Sequence, residues 1–272
     1  MDKPSANNIY SLPSDVLHDD EPDRKFINAL ARGLDVLRAF QPGDGFLGNQ
    51  DIAKRTGLPK SSVSRLTYTL TKLGYLVYSE RLEKYQLGSG VLALGYAFTA
   101  NLAIRQLAKP LMQELANNTG TAVGLADRDR LKMIYLEYCA PANVMTFRNE
   151  VGDRVPLASS ALGKAYLTLL PHNEREYFLH HIENRNPEDW PQLREGIEAA
   201  IEHYQEKGYC TGFGSWDKDI NGVSVPLLVG NQIYSFNAGG PSYRLSPEFL
   251  EHEVAPQLKR MVRNVEATLI RY

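Results

Sequence analysis

Residues 49–73 contain two short helical patterns separated by a turn, and this segment constrains the fold more than any other. In the second pattern, apolar residues recur at the spacing of one helix face: Val63, Leu66, Leu70 and Leu73. The opposite face carries side chains that can hydrogen-bond base edges or neutralise phosphates: Ser61, Ser62, Ser64, Arg65, Tyr68, Thr69 and Lys72. Because the major groove of B-form DNA admits an α-helix, this polar face predicts double-stranded DNA as a partner.

Turn-forming residues separate the two patterns in the places that a helix-turn-helix requires. Asn49 is expected to cap the first helix, and Gly57 is expected to close it in the left-handed conformation. Pro59 stands where the first residue of a helix needs no N–H, and Gly74 ends the second helix. The segment therefore predicts a helix-turn-helix motif.

The flanking segments extend this motif to a winged helix. Before it, a helix capped by Asp23 would place its apolar residues on one face: Ile27, Leu30, Leu34 and Leu37. After it, residues 76–78 and 85–87 flank a charged loop, which predicts a β-hairpin. Residues 24–88 therefore predict a winged helix-turn-helix domain. Residues 1–23 mix Pro, Ser, Asn and acidic side chains, and we expect them to form a flexible tail.

The distribution of charge supports a nucleic-acid partner for this domain. The whole chain has a formal net charge of −2. Residues 24–88, however, contain 11 Lys and Arg against 5 Asp and Glu, a net charge of +6. Positive charge in the same segment as the helix pair is what a phosphate-binding surface requires.

Composition limits the location and class of the protein. Only two cysteines, Cys139 and Cys210, occur in 272 residues, so no disulfide framework is implied and a reducing cytoplasm is the expected location. We find no pattern typical of a secretion signal. The most apolar run, residues 91–104, is too short for a bilayer span and contains Asn101, so it predicts a buried helix and no membrane partner.

The rest of the chain predicts a linker helix and a second domain. Residues 89–118 form one unusually apolar helical pattern, in which Pro110 should mark a break or kink, and a subunit contact best explains the extra apolar surface. Residues 119–272 alternate strands and helices and predict a mixed sheet with flanking helices. Strands are expected at 121–126, 131–138, 144–147, 223–228 and 233–238, and helices at 160–170, 173–181, 192–207 and from Ser246-Pro247 onward.

Taken together, these segments resemble the IclR family of bacterial transcription regulators, from about Phe26 to the end of the chain. The motifs that carry the resemblance are DIAKRTGLPKSSVSRL at 51–66, YQLG at 85–88, PLASSALGKAYL at 156–167, GYCTGFGSW at 208–216 and AGGPSYR at 238–244. The resemblance implies an α+β fold with an N-terminal winged helix-turn-helix, a linker helix and a C-terminal GAF-like effector-binding domain. It also implies a homodimer or a dimer of dimers, and repression of catabolic genes.

The candidate DNA contacts lie on the second helix and on the wing. Arg65 is the leading candidate, because its planar guanidinium can bond a base or phosphate bidentately. Near the helix N-terminus, hydroxyls, amides and the helix dipole can face phosphate, and the side chains there are Lys60, Ser61, Ser62 and Ser64. Contacts to the DNA backbone or minor groove are expected from the remaining candidates, for which simple solvation is the alternative: Tyr68, Lys72, Arg81 and Lys84.

The resemblance also implies an effector pocket near Ser160 and Ala161, whose backbone amides can bind a carboxylate at a helix start. The positions that supply polar ligand contacts in the family are occupied here by Gly212, Gly222, Asn237 and Gly239. This departure argues against an effector of the glyoxylate or pyruvate type. A larger aromatic or other organic acid is predicted, held by Asn237 and by neighbours for which a place in the core is the alternative: Phe213, Trp216, Asp217 and Phe236.

Other constellations predict no chemistry. Adjacent histidines at His180 and His181 point in different directions on a helix and have no cysteine or acidic partner at ligand spacing, so no metal site is expected. Ser159-Ser160 lacks the G-x-S-x-G pattern of a nucleophile, and Lys164 lacks the Gly-rich loop of a phosphate site. No catalytic residue and no cofactor is predicted.

The sequence therefore predicts a DNA-binding regulator that is not an enzyme. A symmetric dimer would place two recognition helices on a palindromic operator, and a small-molecule effector would shift their spacing. One alternative is a metabolite-processing enzyme that uses the C-terminal domain, with the helix pair as a tether. A second is an architectural DNA binder without an effector, which would leave the large second domain unexplained.

Overall fold

A computed structural model describes residues 25–141 and 149–270. The described chain separates into two compact units, which meet in the sequence between Asn101 and Leu102. The expected tail at 1–23, the capping residue Asp23 and the predicted strand at 144–147 lie outside the described residues.

Among the described residues, the first unit contains three helices and a hairpin, followed by a fourth helix at Ser89–Ala100. The three helices are α1 (Asn28–Arg38), α2 (Asn49–Thr56) and α3 (Lys60–Lys72). Strands β1 (Leu76–Ser79) and β2 (Lys84–Leu87) pair antiparallel, and Leu47 forms a single bridge to Tyr85 beside them. The core of the unit is formed by one group of buried side chains: Val36, Ala39, Leu47, Ile52, Val63, Leu70 and Leu76. The winged helix expected from the sequence is confirmed.

The apolar residues predicted to share one face of α1 are mostly exposed, although Leu37 packs against the core. Ile27 is 65% exposed, Leu30 61% and Leu34 49%, whereas Val36 is the buried residue of this helix. The helix packs on α3 through its C-terminal end, so the apolar residues of its first turns face solvent in the single chain. An apolar surface of this kind is typical of a contact with another molecule.

The cap of α2 also differs from the expectation. Gly48, not Asn49, occupies the N-cap position, and its N–H donates to the Asp51 carboxylate at 2.9 Å. Asn49 is the first residue of the helix, where its side-chain oxygen accepts a hydrogen bond from the Thr67 hydroxyl at 3.2 Å. Gly57 closes the helix at φ 71°, as predicted.

The predicted linker helix over 89–118 is two helices, α4 (Ser89–Ala100) and α5 (Ala103–Thr119). The break lies at Asn101 and Leu102, whereas Pro110 lies inside α5. The expectation of a buried helix is wrong for α4, in which no residue is buried. Within the described residues, no single helix is long and apolar enough to cross a membrane, although α4 and α5 counted together, across their bend, pass on length and composition.

The second unit is built on an antiparallel sheet. Its described strands are β3 (Ala122–Asp129), β4 (Lys132–Cys139), β5 (Arg154–Pro156), β6 (Cys210–Phe213), β7 (Ile220–Val229) and β8 (Gln232–Pro241). They lie in the order β5-β4-β3-β8-β7-β6. The α+β class is confirmed, but each described pair of neighbours is antiparallel, so the strand directions are not mixed. Strands β5 and β6 were not predicted, because each is too short to show alternation.

Helices cover both faces of this sheet. They are α5, α6 (Ala161–Leu169), α7 (His172–Arg185), α8 (Trp190–Lys207), the short α9 (Pro247–Phe249) and α10 (Ala255–Leu269). Helices α5 and α10 pack on one face and build the main core with β3, β7 and β8, whereas α6 lies on the other face with α8 behind it. A π-helical turn, Leu250–Val254, joins α9 to α10, since Pro256 has no N–H for the regular i→i−4 bond.

Close packing of α6 depends on a glycine. A Cβ built at Gly163 would lie 2.0 Å from the Leu157 carbonyl oxygen, a backbone atom that cannot rotate away. We predict that Gly163→Ala lowers the free energy of unfolding of the second unit by about 3 kcal/mol, the upper end of the usual cost of overpacking. The chain's two tryptophans, Trp190 and Trp216, both lie in this unit, so urea unfolding followed by tryptophan fluorescence measures the change.

Gly196→Ala is the matched control for this prediction. Gly196 lies inside α8, where an added Cβ would meet only the end of the Lys164 side chain at 3.6 Å. Replacing a helical glycine by alanine should leave the stability unchanged or raise it by about 0.5–1 kcal/mol. Equal stability of the two variants would contradict the role assigned to Gly163.

Candidate DNA-binding helix and effector pocket

Helix α3 is fixed in the first unit by one buried face. Val63, Thr67 and Leu70 are buried, and Leu66 packs against them. Leu73, which the pattern placed on this face, lies just beyond the helix and is 64% exposed. The buried hydroxyl of Thr67 instead completes the inner face, through hydrogen bonds to the Val63 carbonyl at 3.0 Å and to Asn49.

The opposite face of α3 presents the predicted DNA-binding residues to solvent. Ser61, Arg65, Tyr68 and Lys72 recur at the spacing of one helical stripe, and all four are exposed. Lys60 and Ser64 are also exposed, whereas Ser62 is half-buried. The Lys72 ammonium lies 5.5 Å from the centre of the Tyr68 ring, so a cation–π contact joins these two side chains of the stripe.

An ion pair ties the end of α2 to the turn that precedes it. The Arg55 guanidinium donates to the Asp44 carboxylate at 2.8 Å and to the Ala39 carbonyl at 2.8 Å. The hydrogen bonds from Arg55 hold the pKa of Asp44 below its usual value. Arg55 therefore contributes to the geometry of the helix pair, and its basic group is already engaged within the protein.

The wing places its basic residues at two different positions. Arg81 lies in the exposed turn between β1 and β2, where Glu83 adopts a left-handed conformation with φ 50°. Lys84 lies at the start of β2 and not in the turn, and it too is exposed.

A cleft in the second unit lies between the sheet, the start of α6 and the loop before β7. It encloses about 560 Å³, a volume that includes the space open to solvent. Of the predicted effector residues, Ser160, Ala161, Trp216 and Asn237 line it. The positions identified by their departure from the family pattern also line it: Gly212, Gly222 and Gly239.

Three predicted effector residues lie outside this lining. Phe236 is fully buried in the core, because neighbouring residues of a strand face opposite sides of the sheet and Asn237 faces the cleft. Phe213 packs against the same core. Asp217 accepts a hydrogen bond from the Asp219 N–H at 3.0 Å and so shapes the loop before β7.

Sequence reasoning missed several lining residues from other parts of the chain. Tyr135 and Tyr138 of β4 and Asn149 line the cleft, together with Asn221 of β7. Their sequence pattern did not distinguish them from ordinary strand residues. Only the pairing of β4 beside β3, and of β3 beside β8, brings the two tyrosines to the face that carries Asn237.

The N-terminus of α6 forms one end of the cleft. Ser160 caps the helix: its hydroxyl accepts from the Gly163 N–H at 3.1 Å and donates to the Pro156 carbonyl at 2.6 Å. The Ser160 N–H itself donates to the Pro156 carbonyl at 3.3 Å, so this amide is engaged within the protein. The amides of Ala161 and Leu162 belong to the first turn, whose N–H groups have no partner within a helix. These amides suit an anionic group of a ligand.

Glycines open the sheet side of the cleft. Gly222 of β7 pairs with Gly239 of β8, and neither projects a side chain into the space. A Cβ at Gly239 would lie 2.4 Å from the Asn221 carbonyl oxygen, so this position excludes any other residue. The opening is therefore enforced by the backbone itself.

Neither thiol is activated as a nucleophile, and the described residues form no metal-binding cluster. Burial raises the pKa of Cys139 to about 11 and that of Cys210 to about 12, which disfavours the nucleophilic thiolate. Among the described residues, no group of three or more His, Cys, Asp or Glu side chains is placed to hold a metal ion.

Comparison with protein families matches both units. Residues 29–80 match the IclR helix-turn-helix domain, and residues 96–267 match the C-terminal domain of the bacterial transcriptional regulator IclR. The chain is 34% identical over 247 residues to the HTH-type transcriptional regulator TsaQ1/TsaQ2 of Comamonas testosteroni, covering 89% of this chain and 88% of that protein. It is 26% identical to the Pca regulon regulatory protein of Pseudomonas putida, over 89% of this chain and 84% of that protein.

Solved structures share the fold. An IclR family transcriptional regulator from Brucella abortus is 47% identical, with a TM-score of 0.85 over 90% of this chain and 94% of that one. An IclR homologue from Microbacterium hydrocarbonoxydans, complexed with 4-hydroxybenzoate, is 21% identical, with a TM-score of 0.66 over 89% of this chain and 97% of that one. These relatives are regulators rather than enzymes, which agrees with the expectation from the sequence.

Proposed function

Because the chain belongs to the IclR family of transcription regulators, we propose that it is a sequence-specific, effector-controlled repressor of catabolic genes. That it is a DNA-binding regulator follows from its family. The single observation that supports specific DNA recognition is the exposed polar stripe of α3, held outward by the buried opposite face. We place the protein in the cytoplasm, where it would meet its operator.

We assign base and phosphate contacts to α3 and the wing. Arg65 lies centrally on the stripe and can reach a base edge or a phosphate with two parallel hydrogen bonds. Lys60, Ser61, Ser62 and Ser64 surround the helix N-terminus, which favours phosphate. Tyr68, Lys72, Arg81 and Lys84 would add contacts to the DNA backbone or minor groove on either side.

We propose that two copies associate through the first unit. Helix α4 leaves large apolar side chains in solvent: Leu92 is 74% exposed, Tyr96 71% and Phe98 51%. The first turns of α1 add Ile27, Leu30 and Leu34 to the exposed apolar surface. Removing such apolar surface from water favours association. A symmetric dimer, alone or as half of a dimer of dimers, would place two α3 helices one DNA turn apart on a palindromic operator.

In the second unit, contacts between β4 and α5 would transmit a change in the pocket to the helix that follows α4 in the chain. Arg105 and Lys109, near the start of α5, bind the buried carboxylate of Glu137 at 2.9 Å and 3.3 Å. Glu137 lies on β4 between Tyr135 and Tyr138, which line the cleft. An effector that shifts β4 would therefore shift the start of α5, which follows α4 directly in the chain.

We propose an aromatic or other organic acid as the effector. The first-turn amides of α6 suit its acid group, and the glycines on the sheet leave room for a body larger than a small keto acid. Tyr135, Tyr138 and Trp216 supply aromatic surface in the lining. A protein of the same fold is complexed with 4-hydroxybenzoate, so this fold can hold such a ligand.

Specific DNA binding should depend on Arg65. We predict that Arg65→Ala weakens binding to promoter DNA upstream of its own gene by about 1–3 kcal/mol, because a bidentate contact is lost. Fluorescence anisotropy at several salt concentrations measures this affinity. Arg260→Ala, which removes one exposed positive charge from α10, is the matched control and should bind as the wild type does. Unchanged affinity of the Arg65 variant would refute the assignment.

The dimer should depend on the exposed face of α4. We predict that the double variant Leu92→Glu, Tyr96→Glu sediments as a monomer or as a smaller species than the wild type, because charges would enter an apolar contact. Analytical ultracentrifugation at micromolar concentration measures the change. Leu82→Glu, on an exposed leucine of the wing turn, is the control and should leave the assembly unchanged. A double variant that assembles like the wild type would exclude this interface.

The effector class is tested by thermal shift. We predict that benzoate derivatives raise the melting temperature of the full chain, whereas glyoxylate and pyruvate do not, because only the aromatic acids can pack against Tyr135, Tyr138 and Trp216. A ligand that binds only the folded state stabilises it in proportion to its saturation. Stabilisation by the keto acids alone would contradict the proposed class.

A further inference from the structure

A second cavity in the second unit follows the outer edge of the sheet, and we call it the edge groove. It lies between β7, the C-terminal ends of α6 and α8, and α10. Its lining includes Leu169 of α6, Tyr204 of α8, Leu227 and Leu228 of β7, and Val262 and Arg263 of α10. It encloses about 710 Å³, a volume that includes the space open to solvent, and it shares no lining residue with the cleft at the start of α6. It is therefore a separate candidate site.

The edge groove exists because the outermost strand is short. Strand β6 pairs with β7 only between Asn221 and Ser224. Beyond that point, residues 225–229 of β7 have β8 on one side and, in the described part of the chain, no strand on the other. Pro226 lies in this free segment, and a proline has no N–H to donate to an added strand. The edge is therefore poorly suited to an extended peptide, and a small molecule is the better occupant.

Aliphatic side chains form most of the lining of the edge groove. Three of them belong to the main core as well: Val225, Leu227 and Val262. Two others are less buried, since Leu169 is half-buried and Leu228 is 52% exposed. The lining extends about 10 Å along β7, over residues 225–228, and about 10 Å along α10, over residues 259–266. A long aliphatic groove of this kind suits an unbranched hydrocarbon chain.

The charged side chains of the edge groove all come from α10. The Lys259 ammonium donates to the Lys207 carbonyl at the end of α8, at 2.5 Å, and an ammonium has two further N–H donors. Arg263 lies one turn further along α10, is exposed, and forms no ion pair with a described residue. Glu266 follows at the far end of the lining. The groove is thus cationic at one end and acidic at the other, which favours a ligand with a single acid group.

We infer that the edge groove is a second ligand site, which binds a monocarboxylate with an unbranched aliphatic chain. The carboxylate accepts hydrogen bonds from Arg263 and Lys259, and the chain lies along β7 between Val262 and Leu228. This inference goes beyond the proposed function, because it uses none of the residues of the effector cleft. Helix α6 reaches both places, since its first turn lines the cleft and its last residue, Leu169, lines the groove. A ligand in the groove therefore contacts the helix that also forms the cleft.

Matched acids test this site in the wild-type full chain. Isothermal titration would compare octanoate with butanoate, which has a shorter chain, and with octanedioate, which has a second carboxylate. Octanoate should bind at least about tenfold more tightly than butanoate, because each further methylene that leaves water strengthens binding. It should also bind more tightly than octanedioate, whose second carboxylate meets Glu266. Absence of octanoate binding, or equal binding of butanoate, would overturn the inference.

Variants of α10 assign the binding to the edge groove. Arg263→Gln should weaken octanoate binding at least about fivefold, because the carboxylate loses a charged partner. Arg260→Gln is the matched control and should bind as the wild type does, since Arg260 is exposed on the same helix and lies outside the lining. Glu266→Gln should narrow the preference for octanoate over octanedioate. Octanoate binding that does not respond to Arg263→Gln lies elsewhere, for example on the exposed face of α4, and would overturn the assignment.

A second copy of the chain is the competing occupant of the edge groove. Leu228→Ser should weaken octanoate binding and leave the sedimentation of the protein unchanged, since Leu228 lines the groove and is already exposed in the single chain. A smaller assembly in this variant would show that the groove is an interface between copies and would overturn the ligand site. Failure of octanoate to bind leaves the proposed regulator intact, because DNA binding and the response to benzoates depend on other residues and are measured separately.

Discussion

The burial of one face of α3 is the constraint on which the DNA-binding unit depends. Val63, Thr67 and Leu70 occupy the interior, so Ser61, Arg65, Tyr68 and Lys72 have no place except the surface. The contact between Thr67 and Asn49 joins α3 to α2 at the level of side chains, and Arg55 joins α2 to the preceding turn. A small core thus holds a polar stripe in one orientation, which is the condition for reading a groove.

The pocket depends on a different constraint, the close approach of backbones. Gly163 lets α6 lie against the Leu157 carbonyl, and Gly239 lets β8 lie against Asn221. These contacts bring the first-turn amides of α6 opposite a part of the sheet that has no side chains, because it is formed by Gly212, Gly222 and Gly239. The resulting space has first-turn amides at one end and aromatic side chains in its lining, and these features support the proposed aromatic acid.

The proposed coupling between effector binding and DNA binding depends on the contacts of Glu137 with Arg105 and Lys109. The buried carboxylate of Glu137 binds the half-buried Arg105 and the exposed Lys109, and losing these partners would leave a buried charge unpaired, so β4 and α5 are expected to move together. Tyr135 and Tyr138, which lie two residues before and one residue after Glu137 on β4, line the pocket on the other face of the sheet. A ligand that changes the position of β4 would thus act on the start of α5, next to the break between α4 and α5 at Asn101 and Leu102.

Much of this protein could be predicted from its sequence, because local signals agree with the final structure. Helical periodicity, Gly57 and the hairpin pattern predicted the winged helix, and the motifs predicted the family. Errors arose where tertiary contacts decide the outcome. The apolar residues of α4 were expected to be buried but are exposed, and so are those at the start of α1, since periodicity shows that a face is apolar and not what covers it. Likewise, Phe236 could not be assigned from the sequence, because its side of the sheet depends on strand register.

The sequence alone determined the helix pair, its charge and the glycine positions. Only the tertiary structure brought Tyr135, Asn149 and Asn237 together, because pairing between distant strands is set by packing that no local pattern records.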